Sequence, residues 1–543
     1  MNKYFGLLFL TFLGYGCTSV AHYNAKVEHA VEIEKLKQDV DFAKKKLFTQ
    51  HVNLDWYYPK EVIAFRLDSF KNAIQYPMQP NDFSKELSKV VSSFGHGHTY
   101  VSQLNLKLDK TQRKKYKGSV NPLNLLEFKT VEGRIYLDKN FSKDTTLTTN
   151  AELLALENYS FADFVKHNLN VRAGDGYTKV LNQNYVAQYF INYSNRKLGL
   201  RDSLILTLQK NDSVYTQVIR REFKKKKEKP IAKADPLIAK KDTVTPAPRK
   251  HLTKEEKLKA QALLKHKNEI KKFYAYDEKK QQYNRALKFP NPNDSTTVLL
   301  DINSFTLEHH KKAYDYIFDS IHRLGTKNLI LDLRENGGGY PEDINHLFAH
   351  LTVKDEPQMV TNRYLKVNSK FAVAKRYVFP LNVIRHTILL PYALYKTVET
   401  SFRTQKVKGE YYYNDAKAKD FIFKDKNKFS GQLYVLTSGK TYSAASLIAT
   451  ALHAEGKAIF VGEETGGDYN GTVAGFSKDY TLPHSKIKIM IPQMVFQPHQ
   501  TRELKGRGVL PHQEIKYTFQ DLMNQKDPQM DWILNHIASN TNE

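Results

Sequence analysis

Apolar residues recur at helical spacing through VEIEKLKQDVDFAKKKLFTQ, EVIAFRLDSFKNAI and DFSKELSKVVSSF, which predicts a helical N-terminal unit over residues 25–105 that ends in the string GHGHTYV. Between 120 and 222 the period changes. Short apolar runs (GRIYLD, NYVAQYFINYS, SLILTLQ, YTQVIRR) alternate with Gly, Asn and Asp breaks, which predicts a mostly β module. Residues 223–252 are rich in Lys, Pro and Ala with little to bury and read as a solvated linker. The pattern Thr253-Lys-Glu-Glu256 then predicts a capped helix start, so 223–290 forms a basic linker and helix. From 296 the pattern shifts again. TTVLLDI, NLILDLR, QLYVLTS and KAIFVGE are nearly continuous apolar runs, the mark of strands buried on both faces. Helical stretches lie between them (HHKKAYDYIFDSIHRL, PEDINHLFAHL, SAASLIATALHAEG), so 291–520 is predicted to be an α/β core of parallel βαβ units. Residues 355–430 break this rhythm as an insertion or lid.

Composition adds limits to this outline. At 543 residues the chain exceeds what one core organises, and 41% hydrophobic with 12% aromatic residues excludes disorder of the whole. The net charge of +26 is unevenly spread, with residues 221–280 holding 20 Lys/Arg against 9 Asp/Glu. No zinc-finger spacing or RNA-binding signature accompanies it, so no nucleic-acid partner is expected, and anionic lipid or acidic envelope polymer fits a basic surface as well. The single cysteine, Cys17, closes the run YFGLLFLTFLGYG behind Lys3. A positive start, a short apolar run and a cysteine predict a lipoprotein signal over 1–17 with Cys17 as the lipidated residue. An ordinary signal peptide or a short anchor is the alternative; the run falls short of the roughly 20 apolar residues that a membrane span needs. The expected location is the bacterial cell envelope, lipid-anchored at the periplasmic face or outer membrane.

Candidate chemistry gathers where three predicted strands end, the edge at which α/β sheets build sites. After NLILDLR stand Glu335, Asn336 and the glycines 337–339; three in a row suit amides aimed into a concavity, although a single glycine would satisfy a tight turn. After QLYVLTS, Ser443 falls where a helix begins. A serine there is commonly an N-cap, but the same place suits a nucleophile, because the helix's free amides and positive end stabilise a nearby oxyanion. After KAIFVGE comes Glu463, Glu464, Thr465, Gly466, Gly467 and Asp468.

At these loops the chain resembles the tail-specific (C-terminal-processing) serine peptidase family, including its tricorn-like branch, through LILDLRENGGG, VLTSGKTYSAASLIATAL, AIFVGEETGG, GRGVLPH and FGHGHTYV. The resemblance implies a crotonase- and ClpP-like α/β catalytic core, an N-terminal helical unit and, between them, a PDZ-type module that is degenerate or replaced here. It implies Ser443 as nucleophile and an oxyanion hole from the amides of Gly338 and Ala444. The lysine that one branch places 25 residues after its serine is absent, since Asp468 stands there. The tricorn-like branch uses a histidine from the N-terminal unit, which maps to His98, a suitable base when neutral. The family commonly has Asp where His96 and His512 stand, and this chain departs from it at both; Glu503 is the candidate orienting carboxylate, with Glu463 behind it. Two histidines, 96 and 98, make too weak a set for a metal, and no metal or cofactor is expected. The implied activity is an endopeptidase or tail-processing peptidase acting on envelope proteins or peptides. The other reading is an inactive peptidase-fold lipoprotein that binds peptides or scaffolds envelope proteins.

Overall fold

The computed structural model describes residues 19–168, 170–223, 254–278, 282–354, 359–374, 383–415 and 428–541. Cys17, the signal and most of the lysine-rich linker lie outside these residues.

The predicted N-terminal helices are present as α2 (Ile33–Gln50), α3 (Lys60–Asn72) and α4 (Pro80–Ser92), preceded by α1 (Val20–Glu28). Leu36, Val40, Ala43 and Leu47 recur along one side of α2 and are buried, which fixes that face inward. Their core is shared. Ile487, Ile489 and Ile491 from the far end of the chain pack into it. Strand β1 (Tyr100–Ser102) makes the link explicit by pairing antiparallel with Lys488–Ile491, Tyr100 opposite Met490. The turn before β1, residues 95–99, is therefore tied to the C-terminal part of the protein.

The middle module is an antiparallel sheet in the order β2 (Leu126–Val131), β3 (Arg134–Asn140), β4 (Glu152–Leu156), β5 (Ser203–Lys210), β6 (Ser213–Arg220). Two helices, α5 (Phe161–Asn168) and α6 (Val180–Leu198), accompany it. The stretch NYVAQYFINYS, which its aromatic and β-branched residues present as a strand, lies inside α6. Leu181, Asn182, Val186, Ala187, Phe190 and Ser194 are its buried positions, which recur at helical rather than alternating spacing, so helical burial overrides local propensity.

The basic helix α7 (Lys254–Phe273) leads into the core sheet. Its order is β7 (Arg285–Lys288), β8 (Thr297–Ile302), β9 (Asn328–Asp332), β10 (Gln432–Thr437), β11 (Ala458–Gly462), β12 (Gln513–Glu514). All neighbours are parallel except the antiparallel edge strand β7. One face is covered by α8 (His310–Arg323), α9 (Pro341–Leu351) and, after α10 (Val383–Phe402) of the interruption, α11 (Ala444–Ala454), with Leu300, Leu331, Val435 and Ile448 fully buried between. The other face carries Ile330, Tyr434, Leu436 and Val461 against Ile533 of the C-terminal helix Pro528–Thr541. Burial on both faces explains the unbroken apolar runs, each large side chain contributing roughly 1.5–3 kcal/mol. The 355–430 interruption supplies Tyr364–Val367, Thr404–Val407 and Glu410–Asn414, which join Thr472–Ala474 and Met494–Phe496 in a second sheet of five strands.

Candidate active site

Strands β9, β10 and β11 run parallel, so their C-terminal loops emerge side by side. The glycine loop after β9 is anchored by Asn336, a fully buried side chain. Its Nδ2 donates to the Ile302 carbonyl at 2.9 Å, and its Oδ1 accepts the Gly338 N–H at 2.9 Å. The Asn336 carbonyl also accepts the Tyr442 N–H at 3.1 Å, which clamps this loop to the one after β10. Gly338, at φ +101°, lies against the serine: a Cβ there would stand 2.8 Å from the Ser443 Cβ and 2.8 Å from the Ala444 nitrogen.

Ser443 is the last residue before α11 and has φ 55° and ψ −123°, a conformation that costs a non-glycine residue on the order of 1–3 kcal/mol. Its side chain makes no capping hydrogen bond, so the N-cap reading of this serine does not hold. The Oγ instead meets Nε2 of His98 at 3.1 Å, across 345 residues of sequence. Nearby Ser446 is a bystander, buried and donating to the Thr441 carbonyl at 2.8 Å.

His98 lies in the 95–99 turn just before β1. Its ring stacks on Tyr442 with centroids 5.0 Å apart, which ties the ring's orientation to the residue before the serine. Burial, helped by the positive charge of Arg172, lowers its pKa to about 4, so the imidazole is neutral at neutral pH and Nε2 can accept the serine proton. His96 points away: its Nε2 meets the Leu54 carbonyl at 3.0 Å, and burial lowers its pKa to about 4. Beside it His51 bonds Thr99 Oγ1 at 2.9 Å, so these histidines brace the turn from behind. Among the described residues no group of three or more His, Cys, Asp or Glu is arranged to hold a metal ion.

Several expected partners are placed elsewhere. Glu503 is exposed, and among the described residues no hydrogen bond or ion pair links it to His98; it sits on the surface loop that leads to β12. Glu463 accepts from Asn184 Nδ2 at 3.4 Å, and Glu464 pairs with Arg507 at 2.8 Å, bracing the GRGV loop. The Gly338 amide is engaged by Asn336 and is not free to receive an oxyanion, whereas the Ala444 N–H has no acceptor among the described residues. Asp468 is buried; it accepts the N–H groups of Asn470 and Gly506, each at 3.0 Å.

The middle module, which on sequence offers no catalytic feature, reaches the site. The loop before α6 contains Arg172-Ala-Gly-Asp-Gly-Tyr177 and threads between the two halves. Gly176 N–H donates to Gly95 O at 2.8 Å, Asp175 N–H to Gly466 O at 3.2 Å, and Tyr177 N–H to Gly506 O at 2.9 Å. The only available signal was two glycines around an aspartate, too common a pattern to single out.

The class of protein follows from this architecture: an α/β domain that presents a strained serine, with an imidazole at its hydroxyl, over the carboxyl edge of a parallel sheet. The model of peptidase family S41 matches residues 296–515, so this part of the chain is similar to the S41 family of serine peptidases. No curated protein sequence matches the chain. Among solved structures it is similar to mature CPAF, at 14% identity and a TM-score of 0.51, over 90% of this chain and 94% of that one. The complex of mature CPAF with lactacystin gives 13% identity and 0.51, over 91% and 96%. A weaker likeness to the tricorn protease has 14% identity and a TM-score of 0.37, over 94% of this chain and 37% of that one. At these identities the likeness to CPAF speaks for the fold.

Proposed function

We propose that this protein is a serine endopeptidase or tail-processing peptidase of the bacterial envelope, lipid-anchored through Cys17, that cleaves protein or peptide substrates through an acyl-enzyme on Ser443. The observation that carries this reading is the 3.1 Å approach of His98 Nε2 to Ser443 Oγ. In the reaction Ser443 Oγ attacks the scissile carbonyl carbon while its proton passes to His98 Nε2. Negative charge develops on the carbonyl oxygen. The Ala444 N–H at the start of α11 and a second amide of the glycine loop stabilise it. With the Gly338 N–H held by Asn336, the second donor is Gly337 or Gly339, neither of which has an acceptor among the described residues. The imidazolium then returns its proton to the leaving amine, and water, deprotonated by the same ring, releases the acyl group. Location and anchor rest on the residues before Cys17 and the overall positive charge.

Replacing Ser443 with Ala should reduce cleavage of an unstructured protein to background, a loss on the order of 10⁶-fold in kcat, with an unchanged melting curve. Fluorophosphonate should label the parent and not this variant. Equal cleavage by parent and variant would sink the assignment.

One observation favours a second reading, an inactive peptidase fold that binds peptides or scaffolds envelope proteins. Among the described residues no carboxylate hydrogen-bonds the other ring nitrogen of His98, so the resting imidazole lacks the orienting partner of a complete triad. Absence of labelling at any pH would select this reading.

A further inference from the structure

The His98 turn is not held by its own unit alone. Gly97, the residue before the ring, donates its N–H to Oδ1 of Asp175 at 3.0 Å. Asp175 is about 1% exposed and belongs to the middle module, so a carboxyl from a third region grips the turn that carries the base. The hydroxyls of Tyr442 and Thr472 interact with the same carboxyl; they and its second oxygen are buried, with no hydrogen bond of standard geometry. Tyr442 is also the residue on which His98 stacks, and it immediately precedes Ser443. The backbone repeats the connection, with Asp175 N–H on Gly466 and Gly176 N–H on Gly95. Asp175 therefore touches the base's turn, the base's stacking partner and a third loop of the site.

We propose that Asp175 is a positioning residue for His98, fixing the 95–99 turn through the Gly97 amide so that the imidazole meets the Ser443 hydroxyl. A carboxyl this deeply buried is costly unless its neighbours require it. Burial pushes its pKa up to about 7, against the Gly97 N–H hydrogen bond and the nearby Thr472 and Tyr442 hydroxyls, which favour the charged form. Such a group is a poor choice for simple packing, where an apolar side chain of similar size would serve. The middle module is thereby part of the catalytic centre, since without its loop the nucleophile remains in place and the base does not.

The inference rests on the hydrolase reading only for its kinetic consequence, so the test has two arms. In the full chain, Asp175→Ala should speed hydrogen–deuterium exchange of the 95–99 amides on the order of tenfold, while exchange in β9 and β10 stays unchanged. Fluorophosphonate labelling and kcat should fall on the order of 10²-fold with KM little changed. Asp175→Asn keeps an oxygen for the Gly97 N–H and should restore both readouts to within a few-fold of the parent. Unchanged exchange at 95–99 in the Ala variant overturns the proposal, whether or not the protein is an active enzyme. So does an Asn variant as impaired as the Ala variant. Faster exchange in the Ala variant of a parent that is never labelled would leave the positioning role standing and remove the hydrolase reading instead.

Discussion

Ser443 and His98 meet at one hydrogen bond but are held there by different means. The serine sits at a strand-to-helix junction. β10 is paired on both sides in a parallel sheet, α11 is packed on that sheet, and Asn336 clamps the adjoining glycine loop. Everything that aims it lies within the core. The histidine sits in a turn between α4 and β1, aimed by Asp175 of the middle module, by Tyr442 of the core and by the β1 pairing with Lys488–Ile491. The proposed nucleophile is placed by continuous secondary structure and the proposed base by a few contacts across three regions. Regions joined by few contacts open at lower free energy than a sheet core, so the base is the more easily displaced partner.

Disturbing the two sides separately should expose the difference. On the nucleophile's side the largest effect is expected for Gly338→Ala. The new Cβ would be forced against Ser443 and Ala444 at φ +101°, costing about 1–3 kcal/mol of stability and on the order of 10²–10³-fold in kcat. Thermal unfolding with an assay on an unstructured protein reads both. On the base's side Gly176→Ala should have a smaller and different effect. At φ +88° a Cβ would stand 2.3 Å from the Gly506 Cα and push the middle loop away. Activity should fall on the order of 10²-fold while exchange protection of the core sheet is retained. If Gly176→Ala instead unfolds the core strands, the two sides are not separable.

The pH profile sharpens the comparison further. In the proposed reaction His98 can act as a base only when neutral, and burial lowers its pKa from the usual 6.5 to about 4. Protonation of His98 should therefore leave kcat/KM intact as pH falls through 6.5 and cut it only near pH 4. A variant that exposes the turn should move this limb upward, toward 6.5. The smallest effect belongs to Glu503→Gln. The side chain is exposed with no link to His98 among the described residues, so kcat/KM should stay within about twofold. A hundredfold loss would show that Glu503 moves to the ring when substrate binds.

Much of the core was legible along the chain because strands buried on both faces admit few polar residues. Runs such as NLILDLR and QLYVLTS announce themselves, and so does the parallel order of the units between them. Ser443 and the glycine loop could be read for the same reason, since they sit at fixed offsets from those strands. α6 was not legible, because Val, Tyr, Phe and Ile in NYVAQYFINYS favour a strand locally and only packing against the middle sheet makes them helical. The interruption at 355–430 became a second sheet only through strands contributed from 472–496.

The sequence by itself determined the elements whose hydrophobic period is strong and the order of the units, and it singled out the serine, histidine and glycines of the candidate site. Only the tertiary structure decided which backbone amides remain free, that Glu503 stands apart from His98, and that Asp175 grips the turn beside the ring. Periodicity records which face of an element is buried; it carries no information about which distant loop supplies the partner of one particular N–H. That pairing is set when three distant regions close on each other, and it exists in no local stretch of the chain.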